Sequence, residues 1–399
     1  MDDYTEISEE GWLSRLTGSI KSVGIGLLLF LGAFAVLFWN EGRTVKMARD
    51  LAEGKGLVET VKADQVSSAN EGKLVHMTGP ATVATKVRDK EFKIKREALR
   101  LVRNVEMYQW KETKTTKEEK KLGGKKVKIT TYSYSKEWSS SPVDSSKFNH
   151  KYARKWGREH NTVVSNPAMG IKSKGPFNNE SAKLGSFRIP PAMLNGLTNW
   201  QAVEVKDEKL EKIGNITGMS ASRSEDKIYL GENPSSPRVG DYRISIQEIV
   251  PQDVSLVAKQ VSDTFEPFTG SSGNKIQMLS AGVHSAESMF QQAEESNKLM
   301  VWILRLVGFL MMAIGLYMIL SPVVVVADVV PFIGSILSYG IGAFAGVFAA
   351  FFSLITIAIA WLFYRPLIAI PMIVIAVGAV VGLKILASKK KTESGAAAT

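Results

Sequence analysis

Between Asp328 and Arg365 the chain carries no charged residue, and Ser22–Asn40 carries none either. Few environments tolerate such runs. In hydrocarbon every backbone polar group must be satisfied inside the segment, which leaves helices as the simple solution. At about 1.5 Å per residue, 22–40 extends roughly 28 Å, close to the apolar thickness of a bilayer. Lys21 and Arg43 flank it, and Trp39 sits where an interfacial aromatic belongs. The run is too long for a signal-peptide core, and Glu41-Gly42-Arg43 follows it in place of a small-residue cleavage site. It reads as a retained span.

The C-terminal apolar block divides at its prolines. A second span is expected over 301–321, ending before Pro322, and Asp328–Pro331 reads as a turn at a membrane edge. A third is expected over 333–364, long enough to tilt. Trp361, Phe363, Tyr364 and Arg365 form its interfacial belt. A fourth follows over 366–384, then a basic tail over 385–399. Gly342 and Gly346, and again Gly378 and Gly382, stand at the spacing that lets helix backbones approach closely. Lys389–Lys391 favours a cytoplasmic tail. With one span before the middle and three after it, residues 1–21 are then a cytoplasmic segment and 41–300 an extracytoplasmic domain. The prolines at 322, 331, 366 and 371 also permit a re-entrant arrangement.

The average composition hides this division: 22% of the 399 residues are charged, as in a soluble protein. The net charge of +11 is concentrated in Lys111–Lys128 and the tail. A basic excess suits nucleic acid or anionic lipid. Beside long apolar runs the expectation is membrane lipid and no nucleic acid, with Lys111–Lys128 as a solvated hairpin tip. There is no cysteine, so disulfides, thiolate nucleophiles and Cys-ligated metals are excluded.

The middle of the chain alternates as strands do. Candidates are 74–78, 81–87, 92–95, 99–110, 127–138, 201–205, 227–230, 242–250 and 255–260. Residues 99–110 and 127–138 read as a long hairpin, with Tyr108, Trp110, Tyr132, Tyr134 and Trp138 as an aromatic face. Residues 139–198 are rich in Ser, Asn, Gly and Pro and read as irregular, with one helix near 191–197. Helical spacing continues from 40 to 66 and returns at 281–302, with Ser285 as an N-cap. The fold class is therefore α+β: four membrane helices, one N-terminal and three C-terminal, bracketing a β-rich domain. Small sandwiches and OB-like barrels are both open.

Catalytic signatures are missing. The four histidines, His76, His150, His160 and His284, form no close metal pair. There is no phosphate-binding glycine loop, no nucleophile elbow and no dinucleotide fingerprint. No catalytic, cofactor or metal residue is expected. Three features could still be functional. Asn40, Glu41 and Arg43 stand at a membrane exit, where a carboxylate and a guanidinium could pair or hold headgroups. Asp328 lies between spans. The aromatic face could stack a ligand, although core packing explains it as well.

Several motifs in order also resemble one family. They are Asn40-Glu-Gly-Arg43, Leu51-Ala-Glu-Gly54, Asn70-Glu-Gly-Lys-Leu-Val-His76, Val105-Glu-Met-Tyr-Gln-Trp110, Tyr132-Ser-Tyr134 with Glu137-Trp138, Glu232-Asn-Pro234 with Val239-Gly-Asp241, and Trp361-Leu-Phe-Tyr-Arg-Pro366. Together they are similar to the transmembrane protein 43 (LUMA) family. The resemblance implies four spans, a large lumenal or extracytoplasmic domain and cytoplasmic termini. Animal members imply the endoplasmic reticulum and inner nuclear membrane, self-association and envelope partners. Bacterial members imply an inner membrane and a periplasmic domain without those partners, and the cysteine-free chain leans that way. The family supplies no catalytic residue. The expected function is a non-enzymatic scaffold with membrane lipid, a second copy and other membrane proteins as partners. A transporter or channel is the alternative, and a hydrolase with paired carboxylates is a third reading.

Overall fold

The computed structural model describes residues 4–204 and 206–371. Its described helices are α1 (Trp12–Leu57), α2 (His150–Glu159), α3 (Asp207–Thr217), α4 (Ala286–Ala327) and α5 (Pro331–Tyr364). The chain divides into two compact units. One contains Asp50–Glu119 and Val127–Gln292 with the N-terminal residues to Ser8; the other contains Glu9–Arg49, Lys120–Lys126 and the chain from Ala293.

In the helical unit, α1, α4 and α5 are the described helices long and apolar enough to cross a membrane. The fourth expected span, with Gly378 and Gly382, falls largely outside the described residues. The expected break at Pro322 does not occur, and α4 runs through it to Ala327. Proline lacks the N–H that would serve the Met318 carbonyl one turn back. The Ser321 hydroxyl donates to that carbonyl instead, at 2.8 Å. Helix α5 begins with Pro331 in its first turn, where no N–H is needed.

Small residues not singled out by sequence, Gly26 and Gly315, pack α1 against α4. A Cβ on Gly26 would lie 2.8 Å from the Gly315 carbonyl oxygen, and one on Gly315 would lie 2.7 Å from that of Gly26. Only glycine on both sides lets α1 and α4 approach so closely. Ala33, Leu37, Met312 and Ala349 are completely buried beside this contact, and Phe30 meets Phe34 and Phe352 edge-on at 5.1 and 5.9 Å. A Cβ on Gly342 or Gly346 would meet nothing within 4 Å among the described residues.

The other unit is built on two antiparallel-dominated sheets. The larger has the order Thr5–Glu10, Lys126–Ser139, Arg100–Lys120, Tyr242–Ile249, Lys227–Leu230, Ala221–Ser224. The register Ile244↔Val105 and Tyr242↔Met107 puts alternate apolar side chains on one face. These pack with Phe92, Ile94, Leu210 and Ile213 into one core. The second sheet is centred on Leu74–Val83 and Asp253–Val261, paired Leu256↔Met77, over a core including Phe187, Leu194 and Phe265. Each sheet has a linear strand order, with β-strands Gln201–Ala202 and Lys174–Asn178 joining the larger one and Glu59–Thr60 and Met278–Ala281 the second as side pairings.

Three local expectations change. The segment at 139–198 contains α2, which Asn149 starts by accepting from the Tyr152 N–H. The helix near 191–197 is a single 3₁₀ turn, Met193–Gly196. The N-terminal residues supply the edge strand Thr5–Glu10, and α1 begins at Trp12, well before the expected span. Ser285 does cap α4, accepting from the Ser288 N–H at 3.2 Å.

Candidate functional site

The helical unit holds two clusters of buried charge, one towards each end of its helices. The first gathers Asn40 and Glu41 on α1, Arg305 on α4 and Trp361 on α5. Glu41 is fully buried and lies where α1 leaves its apolar run. Its two carboxylate oxygens accept from Arg305 Nε at 2.7 Å and Nη2 at 3.0 Å, a two-pronged pairing. Trp361 Nε1 donates to the same carboxylate at 2.9 Å. The Arg305 guanidinium also stands over the Trp302 ring at 4.9 Å, and Arg365 stands over Trp361 at 5.8 Å. Arginine suits this position because its flat fork matches a carboxylate and its faces suit aromatics.

Uncharged polar groups complete the cluster. Asn40 Nδ2 donates to the Val301 carbonyl and Asn297 Nδ2 to that of Thr44, each at 3.2 Å. The Thr44 hydroxyl donates back to the Asn40 carbonyl at 2.8 Å. The amide oxygens of Asn40 and Asn297 are buried without a partner. Gly42 lies under the Tyr364 ring, where a Cβ would come within 2.5 Å of it. Phe38 meets Phe363 and Tyr364 at 5.7 and 5.4 Å.

Asn40, Glu41, Trp361, Phe363, Tyr364 and Arg365, predicted as two separate features, are thus neighbours. Arg43 does not supply the guanidinium. Its Nη2 reaches only Thr44 Oγ1, at 3.4 Å, and its Nε is buried without a partner. Arg305 is absent from the residues singled out by sequence. The signal was there: an arginine opening an apolar run needs a partner, and Glu41 flanks the other span at the same depth.

The second cluster surrounds Asp328, which lies in the expected turn, between α4 and α5, and is fully buried there. It pairs with Arg15 of α1 and with Lys120, whose Nζ lies 2.7 Å from Oδ1. The Arg15 Nη1 donates to the Gly124 carbonyl at 2.7 Å, and Trp12 Nε1 donates to that of Val325 at 3.0 Å. A Cβ on Gly124 would strike the Trp12 ring. The tip 120–126 is therefore seated on helix ends, which corrects the expectation of a freely solvated turn. Arg15 and Glu41 are separated by about 39 Å of helix, and Arg305 and Asp328 by about 35 Å. That spacing matches an apolar slab plus its interfaces.

The aromatic face divides in two. Trp110, Tyr132 and Tyr134 enter a core with Phe148 and Tyr152, whereas Tyr108 packs on Trp138 at 5.1 Å. Burial, with the neighbouring Glu112 carboxylate, raises the Tyr134 hydroxyl pKa far above its ordinary value. His76 is buried, with Nε2 2.9 Å from the His284 carbonyl and Nδ1 3.2 Å from the Thr60 hydroxyl. Burial lowers its pKa despite the carbonyl contact. His160 stacks on Trp156 at 4.0 Å, and His284 Nε2 meets the Ala281 carbonyl at 2.9 Å. Among the described residues no group of three or more His, Asp and Glu could hold a metal ion.

These features belong to a recognisable protein type. A family model described as Transmembrane protein 43 matches residues 107–366. The Transmembrane protein 43 of Mus musculus is 33% identical over 380 residues, covering 91% of this chain and 89% of that one. The Homo sapiens protein of the same name is 33% identical, covering 90% and 88%. The Transmembrane protein 43 homolog of Drosophila melanogaster is 25% identical, covering 73% and 74%. No solved structure matches the chain. The matched stretch runs through the hairpin, both sheets, Arg305 and Trp361, and with the coverage of its relatives it establishes that this chain belongs to the transmembrane protein 43 family.

Proposed function

We propose that this protein is a non-enzymatic membrane scaffold, which holds a self-associating helical assembly in a cellular membrane and presents its β-rich domain to other membrane proteins. The observation that carries the reading is the use made of buried charge. Glu41 and Asp328 are the fully buried carboxylates of the described helical unit, and each is tied to cations from other segments. Groups neutralised in this way fix a bundle; they do not form a chain of exchangeable sites such as a proton or ion path requires. The Gly342 and Gly346 face on α5, uncovered among the described residues, offers a surface for a second copy, and the apolar flanks offer one for lipid.

The test is chemical crosslinking of the full chain in mild detergent and in native lipid, with size analysis of the products. The scaffold reading expects discrete multimers. A strict monomer in both would refute self-association. Solute flux through proteoliposomes would favour the transporter alternative, and turnover abolished by one carboxylate substitution would favour an enzyme.

A further inference from the structure

We propose that the β-rich unit carries a binding cleft for a polyphosphorylated ligand, formed by Arg88, Lys90, Lys93, Lys95, Lys209 and Lys212. These side chains line one cleft of about 820 Å³ between the short hairpin Val87–Arg96 and α3. Asp89 is the carboxylate in the lining, and it is committed elsewhere. It is 2% exposed and lies 3.2 Å from the guanidinium of Arg103, itself 1% exposed. Among the described residues the lining therefore presents six cations and no free acid.

The hairpin that displays four of them is rigid. Alternation sends Val87, Phe92 and Ile94 into the core, leaving Arg88, Lys93 and Lys95 outside. The turn is pinned from beneath, with Phe92 buried 4.0 Å under the Arg103 guanidinium and Asp89 Oδ1 accepting from the Glu91 and Phe92 N–H groups. Lys93 is held at φ +52°, a conformation that lysine rarely adopts, directly at the rim. On the other wall, Leu210 and Ile213 anchor α3 in the same core, which turns Lys209 and Lys212 towards the hairpin.

None of the six cations has an ion-pair partner among the described residues. Many lysines and arginines elsewhere in this unit do, as in Arg96 with Glu248 and Arg188 with Asp263. Converging like charges repel, and the repulsion is relieved when a multiply charged anion enters. A single carboxylate would neutralise too little of the field. Two or more phosphate groups match the charge and supply acceptors enough for several ammonium groups. The phosphates can come from a lipid headgroup or from a soluble polyphosphate.

The experiment uses the full chain in uncharged detergent micelles, titrated with inorganic tripolyphosphate at several salt concentrations. Saturable binding that weakens as salt rises is expected. The double charge reversal Lys93→Glu with Lys212→Glu should weaken it by about tenfold or more. The same change of net charge outside the cleft, Lys62→Glu with Lys275→Glu, should leave it nearly intact. Thermal unfolding of both variants confirms folding, and the milder pair Lys93→Gln with Lys212→Gln should fall between. Competition by a bisphosphorylated inositol lipid added to the micelles assigns the phosphate to a headgroup; competition by soluble polyphosphate alone assigns it to a soluble ligand. Equal weakening by both reversals, or no saturable binding of tripolyphosphate to the unaltered protein, overturns the proposal.

Discussion

The Glu41 carboxylate is held by Arg305, 264 positions further along the chain, through two hydrogen bonds of 2.7 and 3.0 Å. Removing one member of such a buried pair leaves the other without compensation, which costs about 3–5 kcal/mol, whereas replacing both by apolar groups is often nearly neutral. Glu41→Gln and Arg305→Met should therefore each lower the melting temperature of the full chain in detergent. The pair Glu41→Leu with Arg305→Met should recover most of the loss. Additive losses in the double variant would show that the two residues act independently.

Asp328 makes a different prediction. Asp328→Asn removes the charge that holds Arg15 and Lys120, and with it the seat of the 120–126 tip. The exposed peptide bonds after Lys120, Lys121 and Lys125 should then be cut by trypsin several-fold faster under native conditions, because cleavage follows the population of the opened segment. An unchanged cleavage rate would mean that the tip is retained by its other contacts, the Trp12 ring against Gly124 and the Gly123 N–H donated to the Val329 carbonyl at 3.1 Å.

His76 ties stability to pH. Burial lowers its pKa in the folded chain below the ordinary value near 6.5, so the unfolded chain binds the proton more readily. The stabilisation from neutral His76 should be complete above pH 6.5 and should decline as pH falls from 6.5 to the lower folded pKa. Below that point no further loss arises from this residue. Melting curves of the unaltered protein and His76→Gln between pH 5 and 8 test this, and the variant should show a flatter profile. Parallel profiles would exclude His76 as the source.

A Cβ added to Gly342 or Gly346 would meet nothing within 4 Å, so larger side chains there create no clash within the described chain. Gly342→Ile with Gly346→Ile should change monomer stability by no more than about 0.5 kcal/mol, as at ordinary surface positions. If a second copy packs on this face, the same substitutions should abolish crosslinked multimers. Multimers that survive would place self-association elsewhere. The contrast is Gly315→Ile, which forces α1 and α4 apart and should destabilise the monomer.

What the amino-acid order discloses follows the physics of each segment. Charge-free runs announce α1, α4 and α5, because lipid tolerates little else. Alternation locates both sheets, since a half-buried strand must change character at every residue. The pairing of Glu41 with Arg305 escapes because it depends on which helices are neighbours and at what depth. Pro322 misleads because a serine one position earlier supplies the donor that proline lacks. Helix α2 is hidden by its composition: Tyr152, Ala153 and Gly157 are its buried residues, too few and too small to mark an apolar stripe. Arg103 sits on the apolar parity of its strand, where only Asp89, Glu91 and Phe92 make a buried arginine tolerable.

The two charge clusters set a ruler along the helices. A bilayer thicker than their spacing would draw a paired carboxylate towards hydrocarbon, and a thinner one would expose apolar turns to water. Each ångström of such mismatch costs a fraction of a kcal/mol, enough to sort proteins among membranes. The positions of Glu41 and Asp328 thereby define the bilayer thickness at which both ion pairs lie at an interface.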